Sequence, residues 1–159
     1  MTQERKGPGV RLPPPLIYLS GLVAGFALDH WWVAMPIVDA SRETWVHLHA
    51  FAIGLVAVWL LASSLRSFRR RGNDPRPWRE DTALVEESVY RHTRNPMYLG
   101  MALAYATLAL ACNALWPLLL LVPVVLVIRY YVIAREERYL AARFGQPYLD
   151  YCARTRRWF

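Results

Sequence analysis

The sequence predicts an all-α integral membrane protein of about four transmembrane helices. Three observations carry that prediction: long runs without charge, a polar break inside the longest of them, and basic residues gathered on one side of the predicted spans.

The first span follows from residues 12–28, which are 17 residues without a formal charge, and the second from residues 45–65, which are 21. A hydrocarbon core takes roughly 20 apolar residues in a helix, so each run supplies one span. The third run, residues 95–128, is 34 long. As a single helix it would extend about 50 Å, well past a core of about 30 Å, so it must fold back. Asn113 is the polar break near its middle, and Trp116 and Pro117 follow, a turn with a first-turn proline suited to opening a new helix. The expectation is a tight hairpin of two spans, residues 96–111 and 116–131.

With four spans, 18 of the 19 Lys and Arg residues fall on one side and only Arg42 falls opposite, beside Asp29, Asp39 and Glu43. That asymmetry orients the chain as a multi-pass protein with both termini in the cytoplasm. It also accounts for the net charge of +7 by contact with anionic membrane lipids, with no nucleic-acid partner. Lys6 is the single lysine, which suits a GC-rich bacterial genome and hence the bacterial inner membrane. Cys112 and Cys152 fall on opposite sides and cannot pair within the chain.

The chain reads as one domain. Residues 1–15 form a flexible tail that Pro13, Pro14 and Pro15 lead into the membrane, 16–65 the two N-terminal spans, 66–95 a cytoplasmic loop, 96–133 the helical hairpin, and 134–159 cytoplasmic C-terminal helices broken by Gly145 and Pro147. Residues 72–77 are turn-prone, and the basic and aromatic end through Arg157, Trp158 and Phe159 favours the membrane interface. Gly21 and Gly25 sit at small-xxx-small spacing, which favours close packing within the chain and leaves a homo-oligomer open.

Two cytoplasmic segments hold more polar and aromatic residues than anchoring needs. In the first, residues 90–100, Asn95 is a natural N-cap and Pro96 a natural first helical residue. With Arg94 beside it, the helix start is suited to a carboxylate or phosphate, and Tyr98 faces the same side. In the second, Glu137 shares a helical face with Leu140, Ala141, Phe144 and Tyr148, while Glu136 is turned about 100° away, toward Tyr139 and Arg143. An inward Glu137 needs a partner. Arg91, Arg94 or Arg129 would make it a structural ion pair, and a ligand hydroxyl, ammonium or sulfonium would make it part of a site. His47 and His49, two residues apart, point to different sides of a helix and read as packing or interfacial histidines, with no metal assigned. No glycine-rich dinucleotide fingerprint and no Ser/His/Asp arrangement is present.

Tyr90, Arg91, Arg94, Asn95, Pro96, Tyr98 and Gly100, then Glu136, Glu137 and Leu140, then Phe144, Gly145, Tyr148, Tyr151 and Arg154 closely resemble the isoprenylcysteine carboxyl methyltransferase family. That family shares its C-terminal pattern with the membrane phospholipid methyltransferases. The resemblance covers about residues 87–158. Asn95 stands where many members have histidine, and Ser88 and Val89 stand where the pattern has Gly-Pro.

The resemblance implies a cytoplasmic C-terminal helical cofactor pocket in which Tyr90, Arg94, Asn95, Tyr98, Gly100, Glu136 and Glu137 surround S-adenosylmethionine. It implies methyl transfer to a hydrophobic or lipid-like acceptor that bears a carboxylate, amine or thiol. Glu137 and Arg129 are the catalytic candidates, Arg129 as the group that orients an anionic acceptor from the end of span four. Two rival readings keep the scaffold: a non-catalytic membrane binding or assembly protein, and a lipid reductase of related fold that takes a nicotinamide cofactor.

Overall fold

A computed structural model describes residues 8–72 and 83–158. Within them run helices α1 (Pro14–Trp31), α2 (Glu43–Arg70), α3 (Pro96–Ala111), α4 (Leu115–Val127), α5 (Ala134–Phe144) and α6 (Gln146–Arg154). Short 3-10 turns occupy Ala40–Arg42 and Ser88–Arg91, and a π-helical turn, Ile128–Ile133, joins α4 to α5 without a break. Among the described residues there is no strand, only an isolated bridge from Pro36 to Ala114. Arg5, Lys6, Arg76, Arg79 and Phe159, and all but Gly72 of the expected turn at 72–77, lie outside the described residues.

Helix boundaries fall where the chemistry of the chain marks them. Prolines open α1, α3 and α6 at the first helical positions, where a missing amide costs no hydrogen bond. Gly145 ends α5 at φ +59° and ψ −130°, a conformation that needs the absence of a Cβ. Between α3 and α4, Asn113 sits at φ +49°. Its carboxamide oxygen accepts from the amides of Ile37 (3.0 Å) and Val38 (3.1 Å), and its Nδ2 donates to the Val38 carbonyl (2.9 Å). One side chain thus turns the hairpin and staples it to the α1–α2 loop.

α1 packs along α4 and α2 along α3, each pair antiparallel. Glycines set both contacts. A Cβ built on Gly25 would stand 2.5 Å from the Pro117 Cα, and one on Gly21 would collide with Val124. The two small residues of α1 therefore serve packing inside the chain, where close backbone approach replaces the hydrophobic drive that lipid withholds. A further cluster closes the interior near the π turn, with Tyr18, Tyr98, Tyr105, Val124, Ile128, Val132 and Ile133 buried together.

Outside this core, large apolar side chains stay exposed on all four helices, among them Leu19 and Val23 on α1, Phe51 and Leu55 on α2, Leu108 on α3, and Leu119 and Val122 on α4. Such a surface suits hydrocarbon rather than water. Two stretches, Ala40–Arg70 and Leu115–Phe144, are long and apolar enough to cross a membrane. The second is 30 residues, so its polar α5 end emerges from a core of about 30 Å.

Packing contacts begin before the prolines of α1: Val10 is 2% exposed inside the core cluster and the Arg11 amide donates to the Tyr131 hydroxyl (3.3 Å). A lone branched apolar residue next to Gly9, itself at φ +71°, is enough to pin the chain beside the π turn.

Candidate functional site

The site begins with the π turn. In an α-helix, residues five apart point about 140° away from each other, whereas a π turn bonds i to i+5 and brings them back to one side. Ile128, Val132 and Ile133 are accordingly all at 0% exposure. The widened turn aims α5 so that its two glutamates reach different partners. Glu136, which a straight helix would turn outward, accepts a hydrogen bond from the Tyr98 hydroxyl of α3. Tyr98 in turn takes a bond at its carbonyl from the Tyr18 hydroxyl (2.9 Å).

Glu137 lies between two arginines. One carboxylate oxygen is 3.2 Å from the Arg94 guanidinium, and Arg157 grips both oxygens, with Nε at 2.9 Å and Nη2 at 2.6 Å. The side chains of Arg94 and Glu137 are only 14% and 20% exposed. Bidentate pairing of this kind fixes the plane of the carboxylate as well as its position. It also raises the pKa of Arg157, chiefly through the hydrogen bonds to Glu137 and against an opposing effect of burial. Arg94 further donates to the Cys152 sulfur, and its Nε is buried with no hydrogen-bond partner among the described residues. A buried donor left unmet is costly, and an anionic ligand group would satisfy it.

The loop that carries Arg94 is laced to the end of the chain. The Arg94 amide donates to the Arg156 carbonyl (3.0 Å), while Thr93 Oγ1 (3.1 Å) and Asn95 Nδ2 (3.0 Å) both donate to the Arg157 carbonyl. The Tyr151 hydroxyl donates to the Tyr90 carbonyl (2.7 Å). Burial pushes the phenols of Tyr148 and Tyr151 up, so both remain neutral donors. Asn95 is the N-cap of α3 by position, but its side chain makes no cap bond; its Nδ2 donates to the Arg157 carbonyl.

Of the residues singled out in the sequence, Arg94, Asn95, Tyr98, Glu136 and Glu137 thus converge where α3, α5 and the C-terminal segment meet. Three others have different surroundings. Gly100 lies against α2, where a Cβ would be 2.9 Å from Leu61 Cγ. The Tyr90 ring packs on Phe68 of α2, with centroids 5.6 Å apart. Arg129 is exposed, its guanidinium over the Tyr130 ring at 5.4 Å, and it takes no part in the contacts around Glu137. Expected partners of Glu137 included Arg94 but not Arg157; Cys152 and Arg157 had no signal in spacing, since each acts from a separate segment, and Thr93 lies in the first segment but was not singled out there. His47 bonds the Ala111 carbonyl (3.1 Å) and His49 the Trp45 carbonyl (2.6 Å), both packing roles.

The arrangement is one of paired charges around an unmet guanidinium donor, at the polar end of an apolar helix. Its donors and acceptors fit an amino-acid-bearing cofactor: guanidinium for a carboxylate, carboxylates for an ammonium or for ribose hydroxyls. A family model for phospholipid methyltransferases matches residues 43–147, from the start of α2 to the first turn of α6. Among curated proteins and among solved structures, none matches the chain.

Proposed function

Because the chain belongs to the phospholipid methyltransferase family, a family of membrane methyltransferases, we propose that it transfers a methyl group from S-adenosylmethionine to a hydrophobic or lipid-like acceptor. The observation that carries this reading is the convergence of Arg94, Glu136 and Glu137 on one site, with the Arg94 Nε still unmet.

When bound, the cofactor supplies an activated methyl group, and the protein has to provide alignment and exclusion of water. In our reading Arg94 holds the cofactor's carboxylate. Glu137 keeps Arg94 in place and Glu136, steadied by Tyr98, takes an ammonium or hydroxyl. Tyr90 and Asn95 act by fixing the loop, and Gly100 by letting α3 close on α2. In the same reading Arg129, exposed in the π turn just after α4, meets an anionic acceptor arriving from lipid.

The four-span topology belongs to the same proposal. α1 has 18 residues and α3 has 16, about 27 and 24 Å of helix, enough to cross with their flanking loops. A cysteine probe at Val38 should label from outside and one at Gly72 should not; the reverse pattern overturns the orientation.

The function is tested by titrating purified, detergent-solubilised protein with S-adenosylmethionine and, separately, with reduced nicotinamide cofactor. Binding and turnover of the first support the proposal. Binding of the second alone favours a lipid reductase, and binding without transfer to any lipid acceptor favours a non-catalytic scaffold.

A further inference from the structure

Beyond the residues assigned above, we propose that Arg157 is a positioning residue of the cofactor site, acting through Glu137 from a strap formed by residues 155–158. The inference rests on the cofactor reading given under Proposed function and adds to it a residue that the family match, ending at 147, does not reach.

Arg94 alone leaves the Glu137 carboxylate with one contact, at 3.2 Å on one oxygen. Arg157 takes both oxygens and so fixes the rotation of the group. The backbone of the same residue is tied to the other half of the site. Its carbonyl receives Thr93 Oγ1 and Asn95 Nδ2, side chains of residues only 2% and 8% exposed, and the neighbouring Arg156 carbonyl receives the Arg94 amide. Trp158 packs against the core cluster that contains Tyr98 and Val132. One short segment therefore sets the distance between the loop carrying Arg94 and the helix carrying Glu137.

A simpler role for a basic, aromatic terminus is anchoring at the lipid interface. The two arginines separate the roles. Arg156 is exposed and offers only its backbone to the site, while the Arg157 guanidinium is turned inward onto Glu137. An anchor would use both side chains alike.

The test measures S-adenosylmethionine affinity of the full chain in detergent for Arg157→Ala, Arg157→Lys, Arg156→Ala, Glu137→Gln and the double variant Arg157→Ala/Glu137→Gln. Amide exchange at residues 93–95 is read without cofactor. We expect Arg157→Ala to weaken binding about tenfold and to speed exchange at Arg94. Arg157→Lys, which can hold one oxygen but not the plane, should recover part of the affinity, and Arg156→Ala should match the wild type. The double variant should bind no worse than Glu137→Gln, since both changes break one pair. Wild-type affinity in Arg157→Ala overturns the inference, as do additive losses in the double variant or equal losses for Arg156→Ala. If Arg157→Ala does not fold, Arg157→Lys decides: wild-type affinity and exchange there overturn the proposal. A wild-type protein that binds no S-adenosylmethionine overturns the cofactor reading and this inference together, an outcome distinct from the others.

Discussion

The two ends of the helical bundle differ in how far their polar side chains pair with one another. At the Asn113 end they bond to backbone: Asn113 clamps Ile37 and Val38, Trp116 Nε1 donates to the Val33 carbonyl, and His47 to that of Ala111. The Arg94 end has such bonds too, from Thr93, Asn95 and Tyr151, but adds side chains that bond to one another, with Glu137 between Arg94 and Arg157 and Glu136 on the Tyr98 hydroxyl. Side chain to backbone bonds have one solution and fasten the fold. Charges paired with charges can exchange partners with a ligand, so the second end has the means to bind while the first has only the means to hold.

This contrast predicts effects that separate binding from stability. The largest should come from Arg94→Ala, which removes the buried guanidinium. At about 1.5–3 kcal/mol for a charge-assisted bond, S-adenosylmethionine affinity should fall up to about a hundredfold while the helical circular dichroism stays intact. Unchanged affinity in a folded variant would reduce Arg94 to an ion-pair residue. Glu137→Gln should follow with a loss of about tenfold or more in affinity or turnover, and Glu136→Gln with less, because Tyr98 remains to bond the amide. Near-wild-type values for both would return the pair to a purely structural role.

At the other end the readouts should reverse. Asn113→Ala removes three hydrogen bonds and a residue type that tolerates its positive φ better than alanine does. It should lower stability by about 2 kcal/mol in a detergent melt, with cofactor affinity unchanged once folded; a drop in affinity at constant stability would erase the distinction between the ends. The smallest effect concerns Ser88, which sits at φ +56° where the family pattern has glycine. Ser88→Gly should raise stability by about 1 kcal/mol, measurable as a higher unfolding midpoint, with no change in binding beyond that.

Much of the fold was legible because prolines, glycines and Asn113 punctuate it: α3 begins at Pro96 and α5 ends before Gly145 as the chain itself dictates. Arg94, Asn95, Tyr98, Glu136 and Glu137 were legible as candidate site residues from two motifs. The role of Asn95 was not, since its carbonyl partner, Arg157, lies 62 residues on. Arg157 was invisible for the same reason: its link to Glu137 crosses the Gly145 turn, and no periodicity connects residues on separate helices. The burial of Val10 depends on a gap that exists only once α1 and the π turn have packed.

The π turn was illegible as well, because Ile128–Ile133 reads as an unbroken apolar helix. Its presence makes this stretch sensitive to pitch more than to composition. Exchanging one aliphatic residue for another there trims a contact, whereas drawing all six residues back to α-helical pitch would swing everything after them by about 100°. Glu136 and Glu137 would then both survive in the gene and both miss their partners, a lesion of angle and not of chemistry.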